Sequence, residues 1–145
     1  MTDITFHFNV PDRLAYSCRL LRKAYQKGAL VVVTGEPDTL IQLDELLWSV
    51  SPVDFVPHCR STAAAPTVAA SAVVLADSLT GIERSGVLIN LGQALPVEFE
   101  RFERCIEVVT GDDQDRSAAR QRWKHYASRG YVLNQHNFAT AVDAG

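Results

Sequence analysis

The run Ala29-Leu-Val-Val-Val-Thr34 is apolar at every position from 29 to 33, and no other segment limits the possible folds as much. A strand with one face on a core alternates apolar and polar side chains, whereas an unbroken apolar strand has to be covered on both faces. The flanking segments supply the cover. Before the run, Pro11 and Asp12 start a helix that carries Leu14, Cys18, Leu21 and Tyr25 at helical spacing and stops at Gly28, the residue type expected just beyond a helix end. After it, Thr34-Gly-Glu-Pro-Asp38 makes a turn. The helical period then returns from Thr39 to Val50 through Leu40, Leu43, Leu46 and Leu47, until Ser51-Pro52 breaks it.

The same alternation extends over the rest of the chain. Residues Ile4 to Val10 place Ile4, Phe6, Phe8 and Val10 on one face and Thr5, His7 and Asn9 on the other, as in a half-buried strand lying toward a sheet edge. A short strand is expected from Phe55 to His58, followed by a loop from Arg60 to Ser71, where Ala, Ser, Thr and Pro show no period. Val73 to Ala76 and Val87 to Leu91 read as buried strands. A short helical segment with Phe99 and Phe102 follows Pro96, and Cys105 to Val109 forms another strand. The acidic turn Gly111 to Asp115 opens a last helix that ends at Gly130, its carboxylates suited to capping free N–H groups and to the helix dipole. The expected fold is an α/β domain over residues 1–138, an open, mostly parallel sheet with helices on both faces, with 139–145 as a frayed tail.

Composition narrows the functional classes. A length of 145 residues with 47% apolar content suits one core, and a net charge of -3 excludes a protein that grips nucleic acid over its whole surface. Cys18, Cys59 and Cys105 are odd in number and far apart, which suggests free thiols in a reducing cytoplasm rather than disulfides or a zinc site. Neither a basic leader nor a run of about 20 apolar residues occurs, so export and membrane insertion are not expected.

An open α/β sheet raises the possibility of nucleotide chemistry. The chain lacks G-x-x-x-x-G-K-S/T, has no G-x-G-x-x-G after a strand, and places Glu36 beside Gly35, where an acid repels phosphate. No G-x-S-x-G elbow is present. His58 and Cys59 are adjacent, but neighbours in a strand point to opposite faces and cannot act as base and nucleophile together. His7, His125 and His136 are scattered, so neither a metal nor a cofactor is expected.

Two surfaces remain. From Arg116 to Tyr131 the chain carries five of its 14 Lys and Arg residues and no acid; Arg116, Arg120, Trp123 and Lys124 follow i, i+4, i+7, i+8 spacing on one helix face. Such a face suits an acidic, partly apolar partner, since guanidinium pairs bidentately with carboxylate and the indole seats an apolar group. An ordinary amphipathic helix with Trp123 in the core and solvated arginines fits the same pattern. Direct binding of single-stranded DNA is a weaker third option, because five charges on an acidic protein give low, salt-sensitive affinity. On the second surface, Trp48 at a helix end and Phe55 at the next apolar run form either an interface anchor or part of the core.

These segments together resemble the chi subunit family of bacterial DNA polymerase III holoenzyme. The likeness rests on the opening strand with Phe6, Leu43-Asp-Glu-Leu-Leu-Trp48, Phe55-Val-Pro-His58, Val87 to Leu91, Glu107-Val-Val109, and Ala119 to Asn134 with its basic aromatic helix and Gly-aromatic-x-Leu-Asn ending. The resemblance implies a Rossmann-like fold without a nucleotide-binding loop, and a non-catalytic adaptor. It further implies that the chain joins the psi subunit of the clamp loader to the acidic C-terminal tail of single-stranded DNA-binding protein. By the same resemblance, Arg116, Arg120, Trp123 and Lys124 hold the tail, with Arg116 replacing a lysine and Trp123 a tyrosine; Trp48, Phe55, Val56 and Pro57 face psi or, in some members, a helicase-like repair protein. The alternative is a nucleotide-dependent enzyme on the same fold.

Overall fold

The computed structural model describes residues 1–49 and 52–138. Its strands are β1 (Asp3–Val10), β2 (Val31–Thr34), β3 (His58–Arg60), β4 (Val73–Leu75), β5 (Val87–Asn90), β6 (Arg104–Thr110) and β7 (Leu133–Asn137). The helices are α1 (Arg13–Gln26), α2 (Pro37–Ser49), α3 (Ala65–Ala70) and α4 (Asp113–Ser128), with 3-10 turns at Pro52–Asp54 and Phe99–Arg101. All pairings are parallel, in the order β3-β4-β2-β5-β6-β1-β7. The expected open parallel sheet is therefore present.

Strand β2 lies inside the sheet, as its unbroken apolar run requires. Val31 and Val33 pack with Leu21 of α1 and Leu40, Leu43 and Leu47 of α2, while Val32 turns to the other face. There it joins Phe99, Phe102 and the α4 residues Ala119 and Tyr126. At the start of α1, Asp12 Oδ1 accepts the Ala15 N–H at 3.1 Å, and Gly28 beyond its end has φ 79°.

Four local expectations are corrected. Val10 does not share the face of Ile4 and Phe6: Asn9 takes φ 58°, the register with β6 slips between His7 and Val10, and Val10 enters the α1–α2 side of the core. Asn is among the few residues that accept this left-handed conformation readily. Second, the expected strand from Phe55 to His58 begins instead at His58, because Val56 and Pro57 belong to the approach to it. Third, the expected loop from Arg60 to Ser71 contains α3, whose six residues are too few to show a period. The Arg84 guanidinium holds its end, bonding the carbonyls of Val68 at 2.7 Å and Ala72 at 3.0 Å, and that of Ser71. Fourth, the strand expected from Ala29 begins at Val31 and leaves Leu30 52% exposed before it, whereas β1 lies toward the sheet edge as expected, one strand in from β7. The ends expected at Val50 and Ser51, and the tail from 139 to 145, lie outside the described residues.

Candidate functional site

Helix α4 is fixed by its inner side, which leaves its outer side for binding. In its first turn Asp112 caps the helix, accepting the Asp115 N–H at 3.1 Å. Buried Asp115 in turn accepts from the Thr110 N–H at 2.8 Å, from the Thr110 hydroxyl at 2.9 Å and from the Arg13 guanidinium, tying the helix start to the ends of β6 and α1.

Two turns on, α4 is anchored to a fully buried carboxylate on β6. Glu107 accepts from the Tyr126 hydroxyl at 2.7 Å, Asn90 Nδ2 at 2.8 Å and Arg122 Nε at 3.1 Å. Arg122 Nη1 also donates to the Gln93 carbonyl at 2.6 Å. Burial pushes the Glu107 carboxyl upward, and the positive charge of Arg122 with the donated hydrogen bonds pulls it back. The Tyr126 hydroxyl is driven up by burial and then by the Glu107 charge, so it stays a donor. Arg122 thus belongs to the core and not to the basic surface counted from sequence.

Facing outward are Arg116, Arg120, Trp123 and Lys124. Trp123 is half-buried, its ring 5.1 Å from Phe6 and 6.1 Å from Phe8, which stack on each other at 5.3 Å. Trp123 both packs against the core and lines a slot. The slot has a volume of ≈ 280 Å³ and is formed by Phe8, Arg120, Trp123, Lys124 and Gln135. Arg116 lies one turn earlier, outside that lining. Among the described residues no carboxylate comes within 4.0 Å of the charged groups of Arg116, Arg120 or Lys124. Aromatic rings and cations without a carboxylate partner lining one slot suit a ligand with a carboxylate close to an apolar or aromatic group.

Phe8 and Gln135 were not foreseen as slot residues. The alternation of β1 placed Phe8 on the correct face, but it took the pairing of Phe8 with Asn137 and of Phe6 with Gln135 to bring β7 alongside.

The second surface lies at the opposite end of the sheet. Trp48 is 63% exposed, and its ring packs at a tilt against Phe55 at 5.2 Å and against His58, the first residue of β3, at 4.9 Å. His58 donates from Nδ1 to the Val56 carbonyl at 2.7 Å, and its Nε2 is 3.2 Å from Asp44 Oδ1. These contacts fix the His58 ring beside both aromatics, 5.6 Å from Phe55. Phe55 and Pro57 are half-buried, whereas Val56 is 1% exposed and supports the patch from within the core. His58 and Asp44 are the residues here that the sequence did not single out for binding.

A third depression, of ≈ 410 Å³, opens at the carboxyl ends of β2, β4 and β5, where open α/β sheets hold ligands. Thr34, Gly35, Asn90 and Gly92 line it together with Glu36, Asp77 and Glu98, and no Lys or Arg takes part. Those acids disfavour a phosphate. No helix among the described residues is long and apolar enough to cross a membrane.

Comparison with known proteins places the whole arrangement in a family. The sequence model of the family described as DNA polymerase III chi subunit, HolC, matches residues 1–134. DNA polymerase III subunit chi of Pseudomonas aeruginosa is 34% identical over 125 residues, covering 86% of this chain and 85% of the relative. That of Haemophilus influenzae is 30% identical over 124 residues, covering 83% and 84%. The Escherichia coli K12 protein of the same name is 25% identical over 118 residues, covering 81% and 80%.

Proposed function

The chain belongs to the DNA polymerase III chi subunit family, and on that premise we propose that it is a non-catalytic replisome adaptor acting in the cytoplasm. One partner is the acidic C-terminal tail of single-stranded DNA-binding protein, held in the α4 slot. The observation that carries this reading is the slot itself, which Arg120 and Lys124, with no carboxylate within 4.0 Å among the described residues, line together with Trp123 and Phe8. Arg120 takes the terminal carboxylate or a tail aspartate, Trp123 walls the seat of the terminal phenylalanine, and Lys124 and Arg116 contribute charge to the rim.

The other partner is the psi subunit, seated on Trp48, Phe55 and Pro57. A large, exposed aromatic braced by neighbours is the kind of side chain that dominates an interface. A helicase-like repair protein fits the same surface by the same chemistry.

Calorimetric titration of the tail peptide into the protein at low and moderate salt, with wild type and Arg120→Ala compared, tests the reading. Wild-type binding should weaken as salt rises, and the variant should lose tenfold or more in affinity, as expected when a charged hydrogen-bonding partner is removed. No wild-type binding at low salt would refute it.

A further inference from the structure

A groove of ≈ 1110 Å³ runs past the amino ends of β2 and β5, between α3 and residues 81–86, and shares no residue with the α4 slot. A helix beside a sheet normally buries one side. None of the six residues of α3 is buried, and Ala65, Val68 and Ala69 border the groove instead. Ile82 and the exposed Leu30 line it as well. Both walls are fixed. Arg84 reaches from residues 81–86 to the carbonyls of Val68, Ser71 and Ala72 at the end of α3. The Leu30 carbonyl accepts the Val87 N–H at 3.0 Å, and a Cβ on Gly86 would lie 2.5 Å from that oxygen, so the main chain before β2 is held while the Leu30 side chain stays exposed. Glu83 and Glu103 complete the relevant lining, and among the described residues no Lys, Arg or His nitrogen comes within 4.0 Å of either carboxylate. Arg84, the only cation in the lining, is already committed to the three carbonyls.

We propose that this groove docks a basic, amphipathic segment of another protein, with an apolar side chain seated beside Leu30, Val68 and Ile82 and a neighbouring Lys or Arg paired with Glu83 or Glu103. The inference does not depend on the tail or psi readings. Size favours a peptide, because small-molecule sites usually occupy about 300–1,000 Å³. Charge selects a basic one: two carboxylates without a cation attract Lys or Arg and repel both acidic peptides and nucleic-acid phosphate. The α4 face of a second copy has related chemistry, but that contact is head-to-tail, forms no closed pair and covers the α4 slot.

The test follows backbone amide shifts of the isotope-labelled full chain during titration with a short peptide of alternating leucine and lysine, blocked at both ends, and with its leucine–glutamate counterpart. Sedimentation of the protein alone accompanies it. The lysine peptide should shift the amides of Leu30, Val68 and residues 81–86, and the glutamate peptide should leave them in place. Leu30→Ser should weaken the lysine peptide about tenfold. Reversing both acids, Glu83→Lys with Glu103→Lys, should exchange the preference so that the glutamate peptide now moves these amides, a gain that a damaged fold does not produce. If both peptides shift the groove amides alike, or neither does, the proposal is wrong. Self-association of the free protein that Leu30→Ser abolishes would overturn it too, by assigning the groove to a second copy.

Discussion

His7 makes the stability of this protein depend on pH. It is 8% exposed, its Nδ1 is bonded to the Tyr16 hydroxyl, and its ring lies 5.2 Å from that of His136. Burial first, then the charges of His136 and Arg104, lower its pKa from 6.5 to about 4. The unfolded chain therefore binds a proton between those values that the folded chain refuses. Stability is full above pH 6.5 and falls as the pH drops toward 4, by up to about 3 kcal/mol at 1.36 kcal/mol per pH unit. Urea denaturation at pH 7, 5.5 and 4 should show this loss, and His7→Gln should flatten it. A wild-type midpoint that stays constant over that range would contradict the assignment.

At the level of elements, α4 depends on its cap: Asp112→Ala should lower stability by about 1 kcal/mol in the same assay while leaving the outward face unchanged. This helix was readable from the sequence because acids precede it, Gly130 follows it, and its basic face repeats at helical spacing. Strand β2 was readable because three consecutive valines suit a strand covered on both faces, although the equally apolar Ala29 and Leu30 lie before it and Leu30 is 52% exposed. The polar edge strand β7 was not. Its faces are little covered, so no hydrophobic pattern is required of it, and Leu133 alone of its five residues is not exposed. The slot was half legible for the same reason: α4 announced Arg120, Trp123 and Lys124, whereas Gln135 became visible only with β7 in place. Nor could the sequence separate Arg122 from its neighbours, since only the position of Glu107 on β6 shows which arginine turns inward. Val56 likewise reads as surface beside Phe55, yet the chain turns it into the core.

Across the whole molecule, the two proposed surfaces sit at opposite ends of the strand order, six strand spacings apart, or roughly 29 Å at the usual separation. They share no residue. Occupancy of the Trp48 surface should thus leave the affinity for the tail peptide within about twofold of its free value, as measured by titrating the peptide into the complex with psi. Trp48→Ala should abolish the psi complex without affecting tail binding. The same strand order governs how the chain folds as it is made. β1 precedes the other described strands in the chain, yet both of its neighbours, β6 and β7, are the last of them. About a hundred residues separate Ile4 from its partner Cys105, and at ~5–20 residues per second the wait is on the order of 5–20 s. Until β6 is made, Ile4, Phe6 and Phe8 lack the strands they pair beside in the folded protein, so products truncated before Arg104 should be aggregation-prone, which sedimentation of such a fragment checks.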